Sequence, residues 1–316
     1  MIRFTVIRLV EIAAMLVLMS FVIYGLIGLM PGDPIDLMMS ADPHMTAADL
    51  ARLKTLYGVD QPLVGRYLAW AHAALLGDLG YSRLFSAPVT ATLLPRLANS
   101  LVLLGSSFIL AFFVSLWLGT AAARRPRSRV DAAVNFAAFA GVSLPTFWLA
   151  LILILVFAQG LGWLPASGIG GAEGGIADRL RHLVLPVATL TIASLGGYTR
   201  YVRAAMRDAL GQDHIRTARA KGASEGRVVW HHALRSALVA IVTILALSFG
   251  TLVSGALVTE EMFAYPGMGK LIFDAVMGND YNLALAALLL ATAVTMLANL
   301  VADLAYGWLD PRVSYR

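Results

Sequence analysis

Residues 216–228 read RTARAKGASEGRV: four basic side chains, one acid and two glycines in a chain of 316 residues that is 59% hydrophobic and only 14% charged. Asp213, just upstream, can cap a short helix. The last turn of that helix carries Arg219 and Lys221, the sign the helix dipole favours at its carboxyl end, and Gly222 suits the left-handed residue that terminates it. Ser224 can cap a second helix, with Glu225 in its first turn, running through Val228, Val229 and Ala233. The stretch therefore predicts two helices around a glycine turn, inside a segment, 200–235, that is longer than a connection needs.

What surrounds this loop is hydrocarbon-like. A mean hydropathy of +0.75 with so few charges places the chain in the membrane class. Residues 12–32, 97–123, 132–158, 183–199, 236–259 and 281–302 lack Asp, Glu, Lys and Arg, and a spanning helix needs about 20 largely apolar residues. Six transmembrane helices are predicted, the fourth the shortest and interrupted by Pro186, Gly196 and Gly197. The first follows Arg3 and Arg8 but exceeds a signal-peptide core, and no A-x-A-like site follows, so it reads as an uncleaved anchor. Glu11, one turn after Arg8, reads as an interfacial partner for it.

Sixteen of the 24 Lys and Arg residues lie in the amino terminus, 124–131, 200–235 and the carboxyl terminus; the remaining connections hold 8, with 12 acids. Positive-inside bias then places both termini and the 200–235 loop in the cytoplasm, with RRPRSR (124–129) as the clearest marker. The net charge of +5 is mostly topology and gives no reason to expect nucleic-acid binding. With no cysteine, disulfides and thiolate metal sites are excluded.

Three regions follow: the amino terminus and first span (1–32), an extracytoplasmic helical segment (33–98) and a core of five spans (99–316). In the second, Thr46 and Asp49 form a capping arrangement ahead of Leu50, Leu53 and Tyr57, with Gly58 ending the helix. Another helix starts near Pro62, with Leu63, Tyr67 and Trp70 or Ala71 on its apolar side, and stops at Gly77. GLGWLPASGIGGAEGG (160–175) is loop. A Walker pattern is absent, and its nearest approach, PGMGKL (266–271), has Leu271 in the Ser/Thr position. No H-E-x-x-H, G-x-S-x-G or carboxylate pair stands out. His231 and His232 point roughly 100° apart on a helix and make a poor metal pair.

The 213–235 loop has three readings: a solvated basic face that enforces topology, a helix-turn-helix, or a docking element. Topology alone requires no caps, and tethers on both sides hinder entry into a DNA groove. Docking fits best, with Ala218, Ala220 and Gly222 small enough for close approach.

The loop resembles the Glu-Ala-Ala-x-x-x-Gly motif of the membrane subunits of bacterial binding-protein-dependent ABC importers, in the peptide and nickel branch. LMPGDPI (29–35), YGVDQPL (57–63), GDLGYS (77–82), LPTFWLALILI (144–154), LGWLPASG (161–168), YTRYVRAAM (198–206), RTARAKG (216–222), HALRSAL (232–238) and TEEMFAYPGMGKL (259–271) are similar to that branch in its order. With Gly222 as the motif glycine, Arg216, Thr217 and Ala218 stand at the Glu-Ala-Ala positions. The later I-x-L-P element is missing, with Leu234 and Arg235 near where Leu-Pro would fall.

The resemblance implies an all-α, six-span type I importer permease. It also implies a second, homologous permease, two cytoplasmic ATPases that bind ATP and magnesium, and an extracytoplasmic substrate-binding protein. No cofactor is expected in this chain. The implied docking residues are Asp213, Arg216, Thr217, Ala218, Arg219, Ala220, Lys221, Gly222, Ser224 and Glu225. A charged-ended peptide needs a water-filled route. Candidate lining residues are Ser143 and Thr146 beside Pro145, Thr191 and Ser194, and Ser248, Thr251 and Ser254 at helical spacing. Each can instead glue helices together. Among alternatives, nickel chelates and other small solutes share the architecture. A stand-alone carrier would be expected to show a central intramembrane acid or inverted repeats; Asp303 near the last helix end is a weak exception. A membrane enzyme lacks a catalytic constellation.

Overall fold

The structure, a computed structural model, describes residues 2–28 and 62–309, with the side chains of 2, 172, 245–255 and 305–309 outside the description. The helix expected over 46–58 lies outside the described residues. Helix α1 (Ile2–Gly28) is followed by α2 (Leu63–Leu75), a two-residue hairpin of β1 (Tyr81–Ser82) and β2 (Ala87–Pro88), and α3 (Val89–Arg124). Then come α4 (Arg129–Ser143), α5 (Thr146–Leu153) with a π-helical extension Ile154–Gly160, α6 (Gly175–Leu210) and α7 (Asp213–Ala220). A turn, Glu225–Arg227, and a π-helical stretch, Val228–Ala233, lead directly into α8 (Leu234–Met262), followed by α9 (Met268–Met277) and α10 (Tyr281–Leu309).

Within the described residues, each predicted span falls on a helix or helix pair. Among the described residues α1, α3, α6 and α10 are long and apolar enough to cross a bilayer, and α4 with α5 adds a fifth if the pair is one span. The 29-residue α8 carries the remaining predicted span. The third span departs from a straight helix: α4 and α5 meet at 102°. Pro145 has no N–H to donate and forces Leu144 into extended backbone (φ −85°, ψ 125°), so the helix stops at Ser143 and restarts at Thr146. The fourth, shortest by its charge-free run, lies in a helix of 36 residues, as long as α3. Its charge-free run covers only the apolar middle, and the helix continues through Asp178, Arg179 and Arg181 at one end and Arg200, Arg203 and Arg207 at the other.

Helix α6 packs along α3 and against α4 and α8. Gly196 permits the α4 contact, because a Cβ there would lie 2.1 Å from the Ala138 carbonyl oxygen. Helix α2 follows Pro62 and ends before Gly77 (φ +88°), as its spacing predicts. Its Tyr67 ring meets Tyr24 of α1 edge to face, its Trp70 ring lies tilted against the same Tyr24, and Tyr67 shares a 2.8 Å hydrogen bond with Ser20. Leu63 remains exposed. At the other end of α1, Arg8 pairs with both Glu11 and Asp303 of α10, so Asp303 has a cation against it. Among the described residues, three apolar clusters hold the helices. One joins α1, α9 and α10 to the start of α3. Another joins α3, α5, α6 and α8 around Phe263 and Tyr265. The last lies where α3, α6 and α8 meet the 213–233 loop.

Candidate functional site

The loop folds as a short helix pair clamped to the ends of the long helices. On α7, Ile215 and Ala218 are three residues apart and buried, packing with Val228, Val229 and Ala233 of the π-helical stretch and with Val202, Met206 and Ala209 of α6. Burying about two apolar side chains contributes a few kcal/mol and fixes which face looks outward. That outward face carries Asp213, His214, Arg216, Thr217, Arg219, Ala220 and Lys221, all exposed.

Gly222 adopts φ +81°, its N–H bonds to the Arg219 carbonyl at 2.9 Å, and the Ala223 N–H bonds to the Ala218 carbonyl at 3.1 Å. These are the two bonds of a Schellman motif with glycine in its left-handed position. Two sequence expectations change here. Gln212, not Asp213, occupies the cap position, so Asp213 is the first helical residue and acts on the dipole, while Thr217 donates to its carbonyl at 3.1 Å. Ser224 does sit at a cap position, but its side chain makes no capping bond. Ala218 also faces the protein's own core, leaving Ala220 and Gly222 as the small residues on the surface.

Arg219 reaches across the turn to Glu225 with Nε to Oε1 at 2.8 Å and Nη2 to Oε2 at 3.3 Å. That pairing lowers the Glu225 pKa and raises that of Arg219, so the clamp is charged at neutral pH and is lost as acidification protonates the carboxylate. Arg216 stays open: its side chain is 78% exposed and its nearest acid, Asp213, is 3.5 Å away. His214 shares a 3.2 Å hydrogen bond with Ser236. The His231 and His232 rings touch edge to face, and no group of His, Asp or Glu among the described residues could hold a metal.

The sequence reading missed the support beneath the loop. Asp131 of α4 is 4% exposed and accepts from Arg203 of α6 through Nε and Nη2 (2.5 and 2.8 Å), from the Arg127 N–H and from Asn135. Ser128 caps α4 by accepting from the Asp131 N–H. The pattern Ser128-x-x-Asp131 is a capping signal, hidden among residues that read as topology markers.

Of the candidate lining residues, Ser143 is exposed and bonds back to Phe139, and Thr146 is half-buried just past the bend. Thr191 is buried with its hydroxyl toward the Ser107 carbonyl of α3, and Ser194 bonds back to Leu190. Ser248, Thr251 and Ser254 lie on α8, but their side chains are outside the described residues.

A multi-spanning helical membrane protein with an ordered basic helix pair at one end is the class this geometry defines. The chain belongs to the family described as the binding-protein-dependent transport system inner membrane component, whose model matches residues 115–315, with the family's N-terminal model on residues 1–103. It is 40% identical to an oligopeptide transport system permease protein of Bacillus subtilis, over 90% of each chain. It is 36% identical to a di/tripeptide permease protein of Pseudomonas aeruginosa, over 93% of each, and 34% identical to a glutathione permease protein of Escherichia coli over the full length of both. The inward-facing MetNI methionine ABC transporter has the same fold at TM-score 0.58 and 18% identity, over 70% of this chain and 97% of that one. The protein is thus a multi-pass ABC importer permease, a transport subunit acting with separate ATPase and substrate-binding partners.

Proposed function

We propose that this chain forms half of the translocation pathway of an ATP-driven peptide importer, paired with a second, homologous permease. The reading rests on relatives over 90% or more of the chain whose names specify oligopeptides, di- and tripeptides and the peptide glutathione. Both termini and the 213–235 loop face the cytoplasm, where two ATPases hold ATP and magnesium; the chain itself needs no cofactor. The outward face of α7 docks on an ATPase, with Arg216, Lys221 and Ala220 exposed to it and Gly222 setting the angle to the next helix. This is supported by a docking surface whose orientation is fixed from behind by Ile215 and Ala218. Ser143, Thr146, Thr191, Ser194, Ser248, Thr251 and Ser254 are the pathway candidates, and solute capture lies with the binding protein.

The test is uptake by proteoliposomes carrying the complete importer, with labelled di-, tri- and pentapeptides, a nickel chelate and a free amino acid. Peptide accumulation that requires both ATP and the binding protein is expected. Accumulation without ATP, or of the nickel chelate alone, overturns the reading.

A further inference from the structure

Glu260 ends its helix in a place no transport role has yet used. It is 0% exposed, in the last turn of α8, yet two other helices meet at its carboxylate. Oε1 accepts from the Ser100 hydroxyl of α3 at 2.5 Å, and Oε2 accepts from the backbone N–H groups of Gly269 (2.7 Å) and Lys270 (3.2 Å) in the first turn of α9. The Met268 N–H donates to the same Ser100 hydroxyl at 2.7 Å. The first three amides of α9, which no helix can satisfy internally, are therefore taken by one acid from α8 and one hydroxyl from α3.

The surrounding sequence is shaped around this carboxylate. A Cβ at Gly267 would lie 2.2 Å from its carboxyl carbon, and one at Gly269 would lie 2.4 Å from the Leu257 Cα. Two further ties run to the same turn of α3: Asn99 Nδ2 donates to the Pro266 carbonyl at 2.8 Å, and the Tyr265 hydroxyl donates to the Asn99 carbonyl at 3.2 Å. Beside the carboxylate lies a cavity of about 340 Å³ whose walls include Leu97, Leu104, Leu257, Ile272 and Val294. Thr295, also in the wall, donates to the Ala291 carbonyl.

We propose that Glu260 is a positioning residue that locks the connection between α8 and α10, residues 263–277, onto α3, so that these parts move as one rigid body during transport. The three-element geometry carries this: a turn that only needed a helix cap would take it from its own chain neighbours. The proposal rests on the importer class and is independent of the substrate.

The chain contains no cysteine, so spin labels can be placed at W117C on α3 and F273C on α9, both exposed, in the complete importer with cysteine-free partners. Pulsed EPR should give one narrow distance that is the same without nucleotide, with ATP and in the vanadate-trapped state. A distance that changes between these states overturns the proposal whatever the importer carries. Glu260→Gln places an amide against the α9 donors; it should broaden the distance and lower solute moved per ATP hydrolysed by about tenfold, the loss of one charged hydrogen bond. Lower expression leaves that ratio unchanged. If Glu260→Gln does not assemble, Ser100→Ala decides, since it keeps the carboxylate on α9 and cuts its tie to α3. A broadened distance supports the lock, and an unchanged one sinks it.

Discussion

At the scale of single residues, buried charges organise both ends of this molecule. Asp131 and Arg203 tie α4 to α6, with the acid 4% exposed and hydrogen-bonded on both oxygens. Removing one partner of a buried pair leaves the other uncompensated, which costs about 3 kcal/mol. Asp131→Asn is therefore expected to lower the unfolding midpoint of the detergent-solubilised chain measurably, while Arg216→Ala, on a side chain 78% exposed, leaves it unchanged. Thermal unfolding of the two variants checks both. The Asp131 role was only partly legible: its capping position behind Ser128 is written in local spacing, but Arg203 lies 72 residues on, a distance no local pattern spans. Lys270 is a parallel case at the opposite end. Burial disfavours its ammonium, and hydrogen bonds and charge from Asp274 and Glu261 outweigh that, so its pKa is raised and it stays charged.

At the scale of elements, the glycine turn is the decisive device. A left-handed residue other than glycine or asparagine costs about 1–2 kcal/mol, and no atom lies within 4 Å of a Cβ built on Gly222. The constraint is thus conformational and not steric. Gly222→Ile should uncouple ATP hydrolysis from uptake in the reconstituted importer, and Gly222→Asn should retain most coupling because asparagine tolerates that conformation. Equal uptake per ATP in both would refute a role for the turn's geometry. This element was legible because glycine, the basic last turn and the following Ser-Glu pair are local signals. The bend of 102° between α4 and α5 was not. Pro145 announces a break, but the angle depends on what each half packs against, and α5 leans on α6 and α8 while α4 lies along α6.

At the scale of the whole molecule, transport requires one face of the bundle to be wet. Since the native chain has no cysteine, single cysteines at 248, 251 and 254 on α8 report accessibility without background. A lining face predicts labelling by a water-soluble thiol reagent that varies with nucleotide state, and uniform protection assigns the three to helix packing. A cysteine introduced by Thr191→Cys, at a position buried with the native hydroxyl toward the Ser107 carbonyl, is expected to resist the reagent in every state.

What the sequence determined alone was the solvent, the number of apolar spans and the local design of the loop. These follow from hydropathy, charge runs and a helix-ending glycine, signals that act within a few positions of one another. Tertiary structure decided that Ala218 faces inward and that α6 extends well beyond its apolar run. It also decided that Glu260 is the meeting point of three helices and not an acid of the surface. Burial and hydrogen bonding between residues as far apart as Ser100 and Glu260 are properties of packing, and packing is fixed only when distant segments compete for the same core.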